Sequence, residues 1–384
     1  MTRDLGIFYS AVLLSNISFD MTDWFFPLLA NQVGGVALVG QAFLLSSIIG
    51  LIAVQIGGWI ADGYGRKIAL ILSSVFSTLS VVVLAFARFL NGFGALVILL
   101  NLSLLSLTSL GMSARRAYPA EATAKTGRIG LTSSIFRFIL ALSQVMFNLL
   151  FLLLGLDMLI LYLIAMGVVS VLLVFSLKET LAVREVQSLS TRMRRLVPNL
   201  KLFHQRRILQ FFVLTGPLSY VSLLLPVYLF EAAKIQKSII AEVYAVIPLP
   251  LLLMYPLGGI ATDKFGWGKI IASSSFLYGA MLLLIGLPSG QWVTLAIFAG
   301  IVISSEIMLL GGQIYIVRIT SPQERGATFA AYFAFQGLLA ISAPLVGTTL
   351  YAIAPTFPFL VAGLTFTLFG LAILKLSRRS AICG

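Results

Sequence analysis

The chain has 384 residues, of which 59% are hydrophobic and only 10% are charged. A soluble domain carries roughly 25% charged residues and cannot bury so large an apolar surface, so the composition excludes a soluble fold. The formal net charge is +13. The basic residues fall between apolar runs, so this charge predicts a membrane topology rather than binding to nucleic acid.

The apolar runs are 18 to 25 residues long. A helix needs about 20 apolar residues to cross a bilayer, and the runs lack the alternation of a β-barrel strand. The sequence therefore predicts twelve transmembrane helices in contact with the lipid bilayer. They are placed at 6–30, 37–60, 68–88, 94–113, 129–154, 157–177, 207–230, 239–261, 270–288, 292–317, 327–353 and 357–376.

The longest polar stretch lies between spans six and seven, from Lys178 to Arg207, and is strongly basic. It predicts an N-terminal six-helix bundle at 1–177, a linker at 178–206 and a C-terminal six-helix bundle at 207–384. The predicted fold class is an all-α membrane protein with twelve transmembrane helices in two pseudo-symmetric six-helix bundles.

Lysine and arginine gather in the short cytoplasmic loops of membrane proteins. With the N-terminus inside, 22 of the 26 basic residues, including Arg115, lie inside, three lie outside, and Arg137 lies within a span. A wrong number of helices would scramble this segregation. We therefore expect a multi-pass protein of the plasma membrane with both termini in the cytoplasm.

Two groups of residues recur about 200 positions apart, at the inside ends of equivalent spans. Such duplication is typical of transporters in which one half rocks against the other around a midplane site. The recurring pairs are Gly58 and Gly259, Asp62 and Asp263, Gly65 and Gly266, Arg116 and Arg318, and Glu121 and Glu324.

The segment from Gly58 to Lys67 carries Asp62, Gly65 and Arg66 between spans two and three. In spacing and placement it resembles the loop motif of the major facilitator superfamily. A degenerate copy, which contains Gly259, Asp263 and Gly266, follows span eight. Two more loops are similar to those of the family, one at Arg115 to Arg128 and one with Arg318, Glu324 and Arg325.

The resemblance implies the fold of that superfamily, transport of a small solute and a network at Asp62 that locks the cytoplasmic side. The second copy has Trp267 where the first has Arg66, so its lock is expected to be weaker. Many proton-driven exporters of the family carry an arginine in span four. Here Arg88 comes only 21 residues after Lys67, which places it at the end of span three and does not favour that class.

Polar residues inside spans are costly and mark functional candidates. In span one, Asn16, Asp20 and Asp23 recur with Tyr9 at helical spacing, so we expect one polar stripe facing a water-filled cavity. Asp23 also fits a position wetted at the outer interface. Span four contributes Asn101.

Span five carries Arg137, with Gln144 and Asn148 on the same side, and span ten carries Glu306 and Gln313. Arg137 and Glu306 lie at similar depths, and in the family these spans face each other across the cavity. An ion pair between halves is one interpretation. The other interpretation is that Arg137 and Glu306 each have a partner within their own half.

No catalytic set, nucleotide loop or metal-spaced cluster occurs in the sequence, so we expect neither an enzyme nor a cofactor. The leading hypothesis is a monomeric secondary transporter of a small-molecule substrate, coupled to protons through Asp20 or Glu306, by symport or antiport. The alternatives are a gradient-driven facilitator and a non-transporting sensor of the same fold.

The charge pattern predicts that the linker lies in the cytoplasm. Single cysteines placed between Lys178 and Arg207, after replacement of the one native cysteine, Cys383, should react with a membrane-impermeant thiol reagent only from the cytoplasmic side. Reaction of linker positions from outside would contradict this topology.

Overall fold

The computed structural model describes residues 3–89, 94–115, 118, 129–180, 212–213, 215–251, 254, 261, 264–287, 290–319, 332 and 335–380. Within these ranges the chain is helical and contains no strand, which confirms the predicted all-α class. It forms two compact units, Met1–Arg195 and Leu196–Gly384, called unit 1 and unit 2. Their boundary lies inside the stretch that the sequence assigns to the linker.

Unit 1 is built from long apolar helices. The helices are α1 (Arg3–Phe19), α2 (Phe25–Gly63), α3 (Arg66–Phe89), α4 (Ala95–Leu107) and α5 (Ile129–Ser176). Short 3₁₀ turns follow α1 at Asp20–Thr22 and α4 at Thr108–Gly111. Helix α5 packs on α1 and α3, and α4 packs on α2 and α3.

Unit 2 is also built from apolar helices. A 3₁₀ turn at Gly216–Ser219 leads into the helix that begins at Tyr220. The helices are α6 (Tyr220–Glu231), α7 (Lys237–Val246), α8 (Trp267–Leu284), α9 (Gln291–Ile319), α10 (Ala343–Ile353) and α11 (Phe357–Ser380). Helix α8 packs on α9 and α11, and α6 packs on α10.

Eight helical stretches of the described chain are long and apolar enough to cross a membrane. Two exceed the length of one span: Arg3–Ala61 has 59 residues and Phe138–Ser176 has 39. Glycines with positive φ interrupt both, Gly35 at 67° and Gly155 at 66°. These breaks lie where the sequence divides span one from span two and span five from span six. The total of twelve spans stays a prediction.

Many hydroxyl groups within the spans donate to the backbone of their own helices. Ser47 donates to the carbonyl of Phe43 at 2.8 Å, and Ser106 donates to that of Leu102 at 2.7 Å. A carbonyl has two lone pairs, so it accepts these bonds without giving up its helical partner. Polar side chains of this kind therefore fit into an apolar span at little cost.

Helices α2 and the end of α4 come together at a glycine. A Cβ atom on Gly57 would overlap the backbone carbonyl of Leu110, and no flexible side chain is present to move aside. The contact therefore requires glycine at this position, because a larger residue would push two spans apart.

We expect Gly57→Ala to lower the free energy of unfolding by about 1–3 kcal/mol, the usual cost of overpacking a close contact. The change should appear as a lower thermal unfolding midpoint of the detergent-purified protein. Gly94→Ala is the matched control, since a Cβ there meets nothing within 4 Å. Equal midpoints for the two variants would contradict the close approach of these helices.

Candidate functional site

The first span is broken at its acidic residues. Helix α1 ends at Phe19, and Asp20 opens a 3₁₀ turn in which Asp23 N donates to Asp20 O at 3.2 Å. Trp24 leaves the helical conformation altogether, with φ −140° and ψ −33°, before α2 begins. The span that the sequence places at 6–30 is therefore interrupted at Asp20–Trp24, and Trp24 is the residue that departs from helical dihedrals.

Asp20 is held by α1 and α5. Asn16 Nδ2 donates to Asp20 Oδ1 at 3.1 Å and to Ser143 Oγ at 2.9 Å. The Ser143 hydroxyl in turn donates to the Leu140 carbonyl at 2.7 Å. Asp20 is only 7% exposed, and its second oxygen, Oδ2, is buried without a hydrogen-bond partner. One carboxylate oxygen is thus fixed, while the other is shielded from water and left unsatisfied.

The next turn of α5 forms hydrogen bonds with the last two residues of the break, Asp23 and Trp24. Gln144 Nε2 donates to Asp23 Oδ2 at 2.7 Å, and Trp24 Nε1 donates to Asn148 Oδ1 at 2.6 Å. Asn148 Nδ2 donates to the Gln144 carbonyl at 2.7 Å, which fixes the amide that receives the indole. Side chains of α5 therefore hold the side chains of Asp23 and Trp24 where the first span is interrupted.

Aromatic rings cover one side of this cluster. Trp24 meets Phe151 edge-on, with ring centroids 5.0 Å apart, and also contacts Phe25 and Phe147. Trp24 and Phe147 are fully buried. Apolar rings exclude water from the region beside Asp23, which strengthens the electrostatic interactions of the two carboxyl groups.

Four of the residues selected from the sequence are thus brought together: Asn16, Asp20, Asp23 and Gln144. Sequence reasoning missed Ser143 and Trp24 as members of the cluster. Ser143 directly precedes Gln144, and Trp24 directly follows Asp23. Adjacency to a selected residue was their only signal, because neither residue type is unusual in a span.

Asn101 does not join this cluster through the contacts that the structure describes. Its Nδ2 donates to the carbonyl of Ser80 at 2.5 Å, which ties α4 to α3, and the residue is 1% exposed. The expectation that Asn101 lines a wet cavity is not matched by this burial. The geometry is that of a packing contact between two helices.

Glu306 lies in α9 of unit 2 and is half-buried. The side chains of Arg137 and Gln313 lie outside the described part of the structure, although their backbones are helical. An ion pair between Arg137 and Glu306 therefore stays a prediction.

In the loop motif of unit 1, two backbone amides bind the carboxylate of Glu179, which follows the end of α5. Gly65 has φ 123°, and the two amides that follow it, Arg66 N and Lys67 N, donate to Glu179 Oε1 and Oε2 at 3.0 and 3.1 Å. A Cβ on Gly65 would overlap the Glu179 carboxylate. Glu179 thus caps the positive N-terminal end of α3, a role that the sequence alone did not suggest.

The repeated glycine of unit 2 adopts a similar conformation. Gly266 has φ 85° and directly precedes α8, as Gly65 directly precedes α3. A Cβ on Gly266 would meet no atom of the described residues within 4 Å, so within that part of the chain no carboxylate crowds this turn as Glu179 crowds the first. The backbone supports the internal repeat, and the two copies differ in their surroundings.

Tyr118 contacts both α1 and the segment after α5, close to Glu179. Its ring stacks on Phe8 at 4.9 Å, and its hydroxyl donates to the carbonyl of Lys178, next to Glu179, at 3.1 Å. Burial, with the charges of Asp4 and Glu179 nearby, raises the pKa of Tyr118 to about 12. The phenol therefore remains a neutral hydrogen-bond donor over the physiological range.

Other predicted members of the loop motif lie outside the described part. For Asp62 and Arg318 the backbone is described but the side chain is not, and Gly58 lies in α2. The remaining positions are outside the described residues entirely: Arg116, Glu121, Gly259, Asp263, Glu324 and Arg325.

Comparison of the sequence with protein-family profiles and with curated proteins finds no match. Solved structures, in contrast, match along nearly the whole chain. The human organic anion transporter MFSD10 (TETRAN) shares 15% identity at a TM-score of 0.71, with 97% of this chain and 100% of that chain covered. A D-xylose-proton symporter shares 16% identity at 0.70, covering 97% and 95%. A POT family transporter in complex with a thioalcohol-conjugated peptide shares 13% identity at 0.73, covering 98% and 96%.

At these identities the likeness establishes the fold. The chain has the fold of major facilitator transporters, which confirms the resemblance inferred from its loop motif. Together with the apolar helices, this fold makes the chain an integral, multi-pass membrane protein.

We expect Glu179→Ala to lower the free energy of unfolding by about 1 kcal/mol, because two amides at the start of α3 lose their acceptor. The free energy of unfolding of Glu179→Gln should lie between those of Glu179→Ala and wild type, because the amide oxygen of glutamine still accepts a hydrogen bond. Thermal unfolding of the purified protein measures both. Glu242→Ala, on the exposed face of α7, is the control. A Glu179→Ala protein as stable as this control would exclude the cap.

Proposed function

We propose that the chain is a secondary active transporter that moves a small solute by alternating access, with Asp20 as the carboxyl group that couples transport to protons. The observation that carries the proposal is the burial of Asp20 at the break of the first span, with Oδ1 hydrogen-bonded and Oδ2 unsatisfied. A membrane-embedded acid in this setting is a functional candidate by default.

The free-energy cost of an unpaired carboxylate explains how such a group couples. A charged oxygen that is shielded from water and lacks a donor is costly, and a bound proton removes the charge. When the site opens to water, the carboxylate is solvated and releases its proton. When it closes, the neutral acid is favoured. A carrier that closes only with Asp20 protonated would move one proton with each cycle.

The break itself favours a cation at this point. The C-terminal end of α1 carries the negative end of the helix dipole, and it ends directly at Asp20. Asp23 adds a second carboxyl group in the same turn. Discontinuous helices of this kind occur at the ion and substrate sites of membrane transporters.

The fold neighbours are compatible with this mechanism. One is named as a D-xylose-proton symporter, and others are named as organic anion and POT family transporters. Since their sequences are only 13–16% identical to this chain, they support the class of protein and not its substrate.

The loop motif supplies the gate in this proposal. Gly58, Asp62, Gly65, Arg66 and Lys67 would lock the cytoplasmic side, with Glu179 holding the start of α3 in place. The degenerate copy and the later loop, with Asp263, Arg318, Glu324 and Arg325, would act at the second half. The inside placement of this gate rests on the charge pattern, with both termini in the cytoplasm and the protein in the plasma membrane.

Glu306 is the second candidate for the coupling group. It is a half-buried carboxyl group within α9. Asp20 is preferred because its unsatisfied oxygen and its break in the helix have no described counterpart around Glu306.

We expect Asp20→Asn to abolish uphill accumulation of solute driven by a pH gradient in proteoliposomes, while exchange of labelled for unlabelled solute continues. The amide cannot carry the proton but can still bind Asn16. Asp157→Asn, at an exposed acid two residues after Gly155, is the matched control and should accumulate solute like wild type.

Each other result selects a different function. Loss of accumulation in Glu306→Gln but not in Asp20→Asn would move the coupling to unit 2. Exchange without any uphill transport by the wild-type protein would indicate a facilitator. No solute movement in either assay, with a folded protein, would favour a sensor of the same fold.

A further inference from the structure

Two consecutive residues of α5 contact the two carboxyl groups at the break in different ways. Gln144 donates directly to Asp23, whereas Ser143 binds the amide of Asn16, which in turn donates to Asp20. A hydrogen bond from a neutral donor to a carboxylate is charge-assisted and strong. Asp23 therefore has such a donor on α5, while the donor of Asp20 belongs to α1 and has a partner of its own.

The amide of Asn16 uses both of its N–H groups. Nδ2 donates to Asp20 Oδ1 at 3.1 Å and to Ser143 Oγ at 2.9 Å. An asparagine amide carries two N–H donors on its nitrogen and an acceptor on its oxygen. With both hydrogens engaged in this way, the nitrogen faces the carboxyl group of Asp20 and the amide oxygen does not.

Ser143 accepts this hydrogen bond because its own hydrogen is already engaged. Its hydroxyl donates to the carbonyl of Leu140 on the same helix at 2.7 Å, and the side chain is fully buried. An Asn16 amide turned the other way would place its oxygen against Ser143 Oγ, where two acceptors would meet. Ser143 therefore favours the orientation in which Asn16 is a donor to Asp20.

This orientation matters because the carboxyl group of Asp20 has few partners. Oδ1 accepts the bond from Asn16, and Oδ2 is buried without a hydrogen-bond partner. A donor stabilises the charged form of a carboxyl group, and the loss of that donor favours the protonated form. The orientation of one amide thus affects how strongly Asp20 binds a proton.

We propose that Ser143 is a positioning residue for the coupling carboxyl group, because it holds the amide of Asn16 as a donor to Asp20. The inference rests on the proposed function and names a residue that regulates its coupling group. It also links that group to α5, since the amide keeps its orientation only while α1 and α5 are in contact at Ser143. A movement of α5 away from α1 at this point would weaken the donor and favour uptake of a proton.

The charged and titratable groups near this turn are the same in all of the variants compared below. Asp23 lies in the turn itself. The others lie on α1, α2 and α5 or contact α1, and they are Arg3, Asp4, Tyr9, Asp62, Arg115, Arg137, Asp157 and Tyr162. Their influence on Asp20 is common to these variants, so a difference between the variants reports the hydrogen bonds of Asn16 and Ser143.

The proton on Asp20 can be measured without a solute. Infrared difference spectra of the purified protein in lipid vesicles, recorded as the pH is lowered, show the carbonyl stretch of protonated carboxylic acids. The component that Asp20→Asn removes belongs to Asp20. Asn16→Ala should raise the midpoint of this component by about 1–2 pH units, the effect of losing one hydrogen bond to a charged group. Ser143→Ala should raise it by a smaller amount, because Asn16 remains but is no longer held.

Three further variants control for packing. Ser170→Ala removes another fully buried serine hydroxyl, which donates to the Ala11 carbonyl of α1 at 2.9 Å, and it should titrate like wild type. Ser143→Thr keeps the hydroxyl and should have the wild-type midpoint. Ser143→Cys keeps a weak acceptor and should lie between Ser143→Ala and wild type, so the test does not depend on one variant folding. A lower thermal unfolding midpoint of the Ser143 variants with an unchanged titration would overturn the proposal, because Ser143 would then serve packing alone.

A double variant tests the route of the effect. Ser143 also lies close to the carboxyl group of Asp20 itself. If Ser143 acts by holding Asn16, the variant with both Asn16→Ala and Ser143→Ala should titrate like Asn16→Ala alone, because the two effects are not additive. A further shift in the double variant would show that Ser143 acts on Asp20 directly, and would overturn the positioning role.

The same spectra separate this inference from the proposed function. An Asp20 component that moves in Ser143→Ala, in a protein whose wild type accumulates no solute under a pH gradient, would support the positioning role and overturn proton-coupled transport. Uphill transport with an Asp20 component that does not move in Ser143→Ala would overturn the positioning role alone. If no component were lost in Asp20→Asn, Asp20 would bind no proton, and both proposals would be wrong.

Discussion

The hydrocarbon core of a bilayer offers no hydrogen-bond partners, so each backbone group within a span must be satisfied inside the protein. An unbroken helix meets this condition by itself. Where unit 1 interrupts a helix, polar side chains gather. Gln144 and Asn148 bond the side chains of Asp23 and Trp24 at the first break, and Ser73 donates to the Thr108 carbonyl at the second. The proposed coupling group, Asp20, lies at the first break.

The same constraint accounts for the glycines at the ends and crossings of the helices. Two spans can be joined by almost no loop only if the chain reverses sharply, which positive φ at Gly35 and Gly155 allows. At Gly65 the missing Cβ lets the carboxylate of Glu179 reach the start of α3. At Gly57 the missing Cβ likewise lets α2 pack closely against the end of α4. Compact packing and the polar caps thus depend on the same residue type.

Within unit 1, Asp20 and Arg115 are charged groups whose described partners are neutral. Asp20 has a hydrogen-bond donor for one oxygen and none for the other, whereas Arg115 donates from Nη2 to the hydroxyls of Ser15 and Ser73. Each is fixed by serine or asparagine side chains that bond to helices α1, α3 or α5. Neutral partners hold a charged group in position without cancelling its charge, which in the proposed function leaves the Asp20 carboxylate available to a proton.

The sequence by itself determined the class of protein, because a membrane imposes long apolar runs and segregated charges on any chain that spans it. The loop motif adds a short pattern that can be read without knowing the contacts between helices. The sequence also selected Asn16, Asp20, Asp23 and Gln144 by the cost of polar groups in a span. Only the tertiary structure decided that α1 breaks at Asp20, that Glu179 caps α3, that Asn101 packs against α3, and that Arg115 turns inward to Ser15 and Ser73. These outcomes depend on contacts between residues 21 to 127 positions apart, and no periodicity along the chain records which helices become neighbours.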